Sequence, residues 1–302
     1  DIIGKPSSNS QDYKFDSPLL MVKVEAEKDA DFTSLVEAIS ILYAEDPQLE
    51  LQKNDKEIVI RIRGAIQSEI IKSQLLSRFG IEANLGQPEI IYKETVSKPV
   101  YAYANYTMPK PCWAIVKFLI EPLERGSGVK YSSEVRVDHI KQRFQKETEN
   151  CIGKALRQGI KGWEVTDVKI TLVEGEDHEM HSRPGNFIIA TNMAIMNGLD
   201  KVGTKLLEPV MSFVIISPEI HLGAIAGDLH KMRAEFDTPE FNNGQVRITG
   251  RIPLATSIDY PIRLGSLTSG MGVYSSRLSG YQEIPDELGQ IRPYTGISPL
   301  NR

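Results

Sequence analysis

The chain has 302 residues, 41% of them hydrophobic and 25% charged, with a formal charge of −5; this length implies two or three globular domains rather than one small core. No apolar run approaches the roughly 20 residues needed to cross a bilayer, and Cys112 and Cys151 cannot build a secreted disulfide framework, so no membrane role and a cytoplasmic residence are expected. The acidic balance excludes a uniformly basic nucleic-acid binder, and any RNA contact must come from local basic faces.

Residues 1–17 are polar and without periodicity, as in Pro6-Ser7-Ser8-Asn9-Ser10, and read as a linker or the tail of a preceding domain. The opening has neither an initiator Met nor a signal-peptide design, so a piece of a longer chain is expected. The first domain is assigned to residues 18–93. Leu20, Val22 and Val24 alternate as a strand does. Asp31 is a candidate cap for a helix whose apolar face is Phe32, Leu35, Val36, Ile39 and Leu42. A strand at 49–51 turns through Asn54-Asp55 into a second over 57–63, where Ile58, Ile60 and Ile62 alternate. A helix over Ala65–Phe79 should stop at Gly80, a residue free to take the left-handed conformation, and a strand follows from Ile81. The order is βαββαβ, the split βαβ or ferredoxin-like unit.

The middle segment, 94–208, has strands at 113–120 and 165–173, a long helix over 140–157 and a second helix from about 185 to 203. Phe144, Cys151, Ile152, Ala155 and Leu156 share one side of the first helix. A second βαββαβ unit is legible over 209–281, inside a last domain of 209–302. Its features are a strand at 210–216, a helix opened by Pro218 and running to about 232, turn residues at 240–244 and a strand over 245–252. A helix near 257–267, disturbed by Pro261, and a strand over 273–278 complete it. The expected class is therefore α+β, with two copies of one topology flanking a different α/β module.

Asp177, His178, Glu179 and His181 place nitrogen and oxygen ligands close together. Their spacing is not the His-Glu-x-x-His that sets two imidazoles on one helical face, and no distant third ligand is evident. An exposed polar loop without a metal is the expectation. Gly126-Ser127-Gly128-Val129-Lys130 lacks the register of a phosphate loop and reads as a turn between strands. Cys112 has no nameable His partner and reads as a small residue at a strand start; no catalytic residue is assigned. Three basic groups could meet phosphate: Lys110 in its Pro109-Lys110-Pro111 turn, Arg136 with Lys141, Arg143 and Lys146, and Lys231 and Arg233 with Arg247 and Arg251.

The run Arg78-Phe79-Gly80-Ile81-Glu82-Ala83-Asn84-Leu85-Gly86-Gln87-Pro88 resembles the end of the third domain of elongation factor G. Ile120-Glu121-Pro122-Leu123-Glu124-Arg125-Gly126 and the His178-Glu179 loop resemble its fourth domain. Leu206-Leu207-Glu208-Pro209 and Gly227-Asp228-Leu229 resemble its fifth. Pro111-Cys112-Trp113-Ala114, Tyr131-Ser132-Ser133-Glu134, Gly162-Trp163-Glu164 and Gly203-Thr204-Lys205 are similar to one branch, the tetracycline-resistance ribosomal protection proteins. At the loop itself His178, Glu179 and Ser182 follow the elongation-factor pattern, and Pro184 and Phe187 the resistance branch; that branch's tip proline and threonine are here Met180 and Arg183.

The resemblance implies two ferredoxin-like domains around a domain like that of the fifth small-subunit ribosomal protein. It implies a monomer that binds ribosomes: the middle domain reaches small-subunit rRNA at the decoding centre and the last domain the large subunit. The tip would be made by three loops, 108–113, 137–143 and 177–184, with Asp177, His178, Glu179, Met180, His181, Ser182, Arg183, Pro184, Lys110, Pro111, Arg136, Lys141 and Arg143 as its contact residues, and the ribosome-facing part of the last domain by Lys231 and Arg233. In the resistance branch this loop displaces the drug; in elongation factors it supports movement of tRNA and mRNA. GTP and Mg2+ belong to the parent's missing nucleotide-binding half, and no cofactor or catalysis is expected in these residues. The tip requires residues 176–186 to lie at the surface.

Overall fold

A computed structural model describes residues 18–27, 32–46, 49, 51–53, 58–62, 64–107 and 112–301, in two compact units, Asp1–Ile90 and Ile91–Arg302. The expected linker 1–17, the Asp31 cap, the Asn54-Asp55 turn, Lys110 and Pro111 lie outside the described residues.

The first unit runs β1 (Leu20–Ala26), α1 (Phe32–Glu45), β2 (Leu51–Lys53), β3 (Ile58–Ile62), α2 (Ala65–Phe79), β4 (Ala83–Leu85) and β5 (Glu89–Ile90). Its sheet has the order β2-β3-β1-β4, with β5 also on β1. The register explains the alternation: Leu20, Val22 and Val24 stand opposite Ile62, Ile60 and Ile58. All six are buried under Leu35, Ile39 and Leu42 of α1 and Ile71 and Leu75 of α2, each worth about 1.5–3 kcal/mol of burial. Gly80 ends α2 at φ 66°. The Gly80 N–H reaches the Leu76 carbonyl and the Ile81 N–H that of Leu75, so the strand expected from Ile81 begins only at Ala83, after this cap.

The second unit begins with β6 (Lys93–Val96), β7 (Val100–Tyr106), β8 (Ala114–Pro122), β9 (Val129–Ser133), α3 (Gln142–Ala155), β10 (Glu164–Val165), β11 (Val168–Glu176) and α4 (Asn186–Val202). A four-stranded sheet β7-β8-β11-β9 packs its inner face on α3 and α4 through Phe118, Ile120, Ile170, Leu172, Phe144 and Phe187. Two of its strands, β7 and β9, are absent from the sequence reading. Along β7 the inward residues are Val100, Ala102 and Ala104, whereas Tyr101 and Tyr103 are exposed; the large side chains point away from the core and invert the usual signal. The alanines are small because α4 comes close: a Cβ on Gly198 would lie 2.5 Å from the Ala102 methyl.

The unit continues with β12 (Thr204–Pro218), α5 (Leu222–Lys231), β13 (Glu235–Phe236), β14 (Glu240–Asn242), β15 (Gln245–Pro253), α6 (Leu254–Ser257), α7 (Tyr260–Leu267) and β16 (Val273–Ile284). Around β12 the order is β16-β12-β15-β13, the same as in the first unit, with β14 also on β15. Phe213, Ile215, Val246, Ile248 and Ile252 face Ile225, Leu229, Tyr260 and Leu264 of the helices. The turn expected at 240–244 is narrower: Asn243 and Gly244, at φ 49° and 75°, close a two-residue hairpin between β14 and β15. The helix expected near 257–267 is two helices, and Pro261 lies in the first turn of α7, where its missing N–H costs nothing. The fold is thus the α+β arrangement of two βαββαβ modules on either side, in sequence, of a distinct α/β module.

Within the second unit the two modules are joined by a continuous sheet. β6 pairs with Thr204–Leu207 of β12, and β10 with β6. Glu94, fully buried at the centre of this seam, accepts hydrogen bonds from the backbone N–H of Lys161 (3.0 Å) and Trp163 (2.8 Å) and from the Thr204 hydroxyl (2.6 Å). Burial raises its pKa above the ordinary carboxyl value, opposed by those three donors. Trp163 donates its indole N–H to the Gln290 carbonyl at 2.5 Å, and Lys161 pairs with Asp286. No described helix is long and apolar enough to cross a membrane.

Candidate functional site

Three segments meet at one end of the middle module: Cys112-Trp113 before β8, the turn 136–141 before α3, and 177–185 between β11 and α4. The Asp177 N–H donates to the His139 carbonyl (2.9 Å), which ties the third to the second. The Ser182 hydroxyl donates to the Trp113 carbonyl (2.6 Å) and accepts from the His178 N–H (2.8 Å), which ties the third to the first. The Ser182 N–H closes the turn on the His178 carbonyl at 2.9 Å. At the loop's far end Glu147 of α3 accepts the Gly185 N–H. Beneath lie Phe144 and Phe187, from the first turns of α3 and α4, stacked with centroids 4.8 Å apart.

On this footing the loop presents an aromatic stack. The rings of His178 and His181 lie 4.4 Å apart at 20°, and Trp113 lies 5.3 Å from His178. The Met180 N–H donates to Nδ1 of His178 at 3.2 Å, so a neutral His178 carries its proton on Nε2. Met180 is 77% exposed, and Glu179, His181, Arg183 and Pro184 are exposed beside it. The surface therefore offers stacking faces, a ring N–H and, in Arg183, a guanidinium without an acidic partner among the described residues, suited to bases and ribose rather than to clamping phosphate.

Not every expected contact residue is placed for contact. Ser182 is buried, 7% exposed, and both its hydroxyl bonds are internal. Asp177 has a side chain 7% exposed, with Lys141 Nζ at 3.8 Å; a shielded carboxylate keeps its countercharge near. Both are framework of the tip and not its surface. Phe187, expected only as a branch-specific residue, is fully buried under it. Arg136 is exposed with Asp138 at 3.2 Å, and Arg143 is exposed over the Phe144 ring. Among the described residues no group of three or more His, Cys, Asp and Glu could hold a metal; His178 and His181 face each other as stacked rings. Trp113 ends the first of the loops expected at the tip, 108–113, but nothing in its spacing shows that its ring is delivered to His178.

In the last module Lys231 is exposed at the end of α5. Arg233 differs from expectation: its guanidinium makes two 2.8 Å bonds to Glu208, whose side chain is wholly buried. A buried carboxylate left alone is expensive, so this charge is held by the fold. Asp228 of the Gly227-Asp228-Leu229 motif is likewise structural, gripped by Arg263 at 2.7 and 2.5 Å.

Family models match nearly the whole chain in order: elongation factor G domain III at residues 15–87, domain IV at 88–203 and the elongation factor G C-terminus at 205–292. The tetracycline resistance protein TetP of Clostridium perfringens is 36% identical over 306 residues, which cover 100% of this chain and 47% of that protein. The chain thus spans about half the length of this curated relative. A crystal structure of a Thermus thermophilus protein superposes with a TM-score of 0.72 at 24% identity, over 95% of this chain and 44% of that one, a likeness of fold.

Proposed function

Since the chain belongs to the elongation factor G family and spans its third, fourth and C-terminal domains, we propose that it is the ribosome-binding part of a cytoplasmic translational GTPase of the tetracycline-resistance type. The observation that carries this reading is the anchored loop in which Met180, His181 and Arg183 are exposed beside a half-buried His178. Its footing is rigid and its surface stacks, the properties needed to enter folded rRNA near the small-subunit decoding site and displace a planar drug. These domains catalyse nothing; GTP and Mg2+ act in the parent's other half, and the last module contacts the large subunit as a part of one monomer.

The similarity to TetP and the branch-like Pro184 and Phe187 support drug release. His178, Glu179 and Ser182 support a second reading, a translocation factor without resistance activity, since the loop keeps the elongation-factor residues that build its turn. Expression of the complete gene in a tetracycline-sensitive host separates the two. A raised tolerated concentration, lost when residues 178–183 become Gly-Ser, is expected; an unchanged concentration would leave the translocation reading.

A further inference from the structure

About half of the described cations of the second unit are neutralised where they stand. Lys117 pairs with Glu174, Lys169 with Glu121, Arg125 and Lys205 with Glu283, and Arg263 with Asp228. Helix α3 departs from that habit. Arg143, Lys146, Asn150 and Lys154 follow one another at i, i+3, i+7 and i+11, which sets them on one side of the helix, and Arg157 follows just past its C-terminal end. The opposite side is the buried one, with Phe144, Thr148, Cys151, Ile152 and Ala155. All five are exposed, and none of the four cations has an acidic partner among the described residues. Glu147 is occupied by the Gly185 N–H, and Glu149 pairs with none of them.

This stripe starts at the tip, and its helical part from Arg143 to Lys154 runs away from it for about 16 Å, at roughly 1.5 Å of rise per residue. Beside it lies a groove of about 410 Å3 between α3 and the start of α4, floored by Phe144, Pro184 and Ile188. One wall is Glu147, whose Oε2 is buried and has no hydrogen-bond partner. Four unpaired cations in line attract a polyanion with regularly spaced charges. An apolar floor with an unsatisfied acceptor suits a ribose or base edge that brings a donor, such as a 2′-hydroxyl or an exocyclic amine.

We propose that α3 and the turn that follows it are a track for the sugar–phosphate backbone of an rRNA strand: Arg143, Lys146 and Lys154 of the helix and Arg157 just beyond it bind successive phosphates, and the groove receives a nucleoside. The proposal rests on the ribosome-binding reading and adds to it a second contact surface, independent of the loop 178–183.

The test is binding of the chain to purified small ribosomal subunits across a potassium chloride series. Each phosphate contact contributes about 0.7–0.9 to the slope of log affinity against log salt. The triple variant Lys146→Gln, Lys154→Gln, Arg157→Gln should lower that slope by about 2 and weaken binding more than tenfold at low salt, with an unchanged melting curve. A control triple on exposed lysines elsewhere, Lys98→Gln, Lys130→Gln, Lys201→Gln, should leave the slope as it is. Wild-type binding with the same slope in both triples, or an equal loss in both, overturns the track and leaves the ribosome reading standing. Weaker binding at an unchanged slope assigns the stripe to a protein contact and also overturns the proposal. Absence of wild-type binding at low salt overturns both.

Discussion

Two loops of the second unit, 159–163 and 177–185, both follow regular structure closely, yet they end in opposite places. The first turns inward around Glu94: its N–H groups go to a buried carboxylate, and Gly162, at φ 83°, is held so tightly that a Cβ would lie 2.4 Å from the Arg292 carbonyl oxygen. The second turns outward, held at its base through Ser182 and Asp177, with His178 half-buried and Met180, His181 and Arg183 at the surface. The difference teaches that a loop's place between regular elements does not distinguish a seam from a tip. What distinguishes them is where the backbone donors find acceptors: in the first the Lys161 and Trp163 N–H groups turn to the buried Glu94, and in the second the loop's own His178 and Ser182 accept, with His139 and Glu147 holding its two ends.

That contrast is open to direct attack, because each loop has its own tryptophan, Trp163 in the seam and Trp113 at the tip, and the chain has no others. The largest effect should come from Phe144→Ala, which removes the stacked floor beneath the tip and destabilises the unit by about 3–5 kcal/mol in denaturant unfolding. Glu94→Ala should cost about 3 kcal/mol, since it strands two buried N–H groups and a hydroxyl, and should perturb Trp163 emission before that of Trp113. Ser182→Ala should cost about 1 kcal/mol and loosen Trp113 alone. Met180→Ala should stay within about 0.5 kcal/mol, as expected of an exposed side chain. A large loss from Met180→Ala would erase the distinction between the loops.

A titration sharpens the same comparison. The folded-state pKa of Glu94 is raised by burial, so the native state binds its proton more tightly than the unfolded chain does. The stability it adds is complete below the ordinary carboxyl value of 4.5 and is lost as pH rises through the raised value. Against Glu94→Gln, the wild type should therefore gain relative stability as pH falls through that window. A difference independent of pH would show that the seam is not governed by this carboxyl.

Helix α2 is legible to the residue because its apolar spacing and the Gly80 stop coincide, and the buried alternations of β1 and β3 are equally plain. Strand β7 is not, since tyrosines face outward and alanines inward for the sake of a close helix. At the tip, the loop's position is readable from composition, but the division of labour within it is not. Ser182 and Asp177 look as available as His181 until their partners on Trp113 and Lys141 are known. Arg233 misleads for the same reason: its partner Glu208 is 25 residues away in sequence and hidden in the core. Side chains that hold long-range partners have no local signature.

The most direct test of the outward loop as the ribosome contact is an affinity measurement on purified small ribosomal subunits with residues 178–183 replaced by Gly-Ser. The account predicts an affinity loss of at least tenfold with melting of the second unit unchanged. Full retention of binding by a folded variant, or collapse of the fold on replacement, would contradict it.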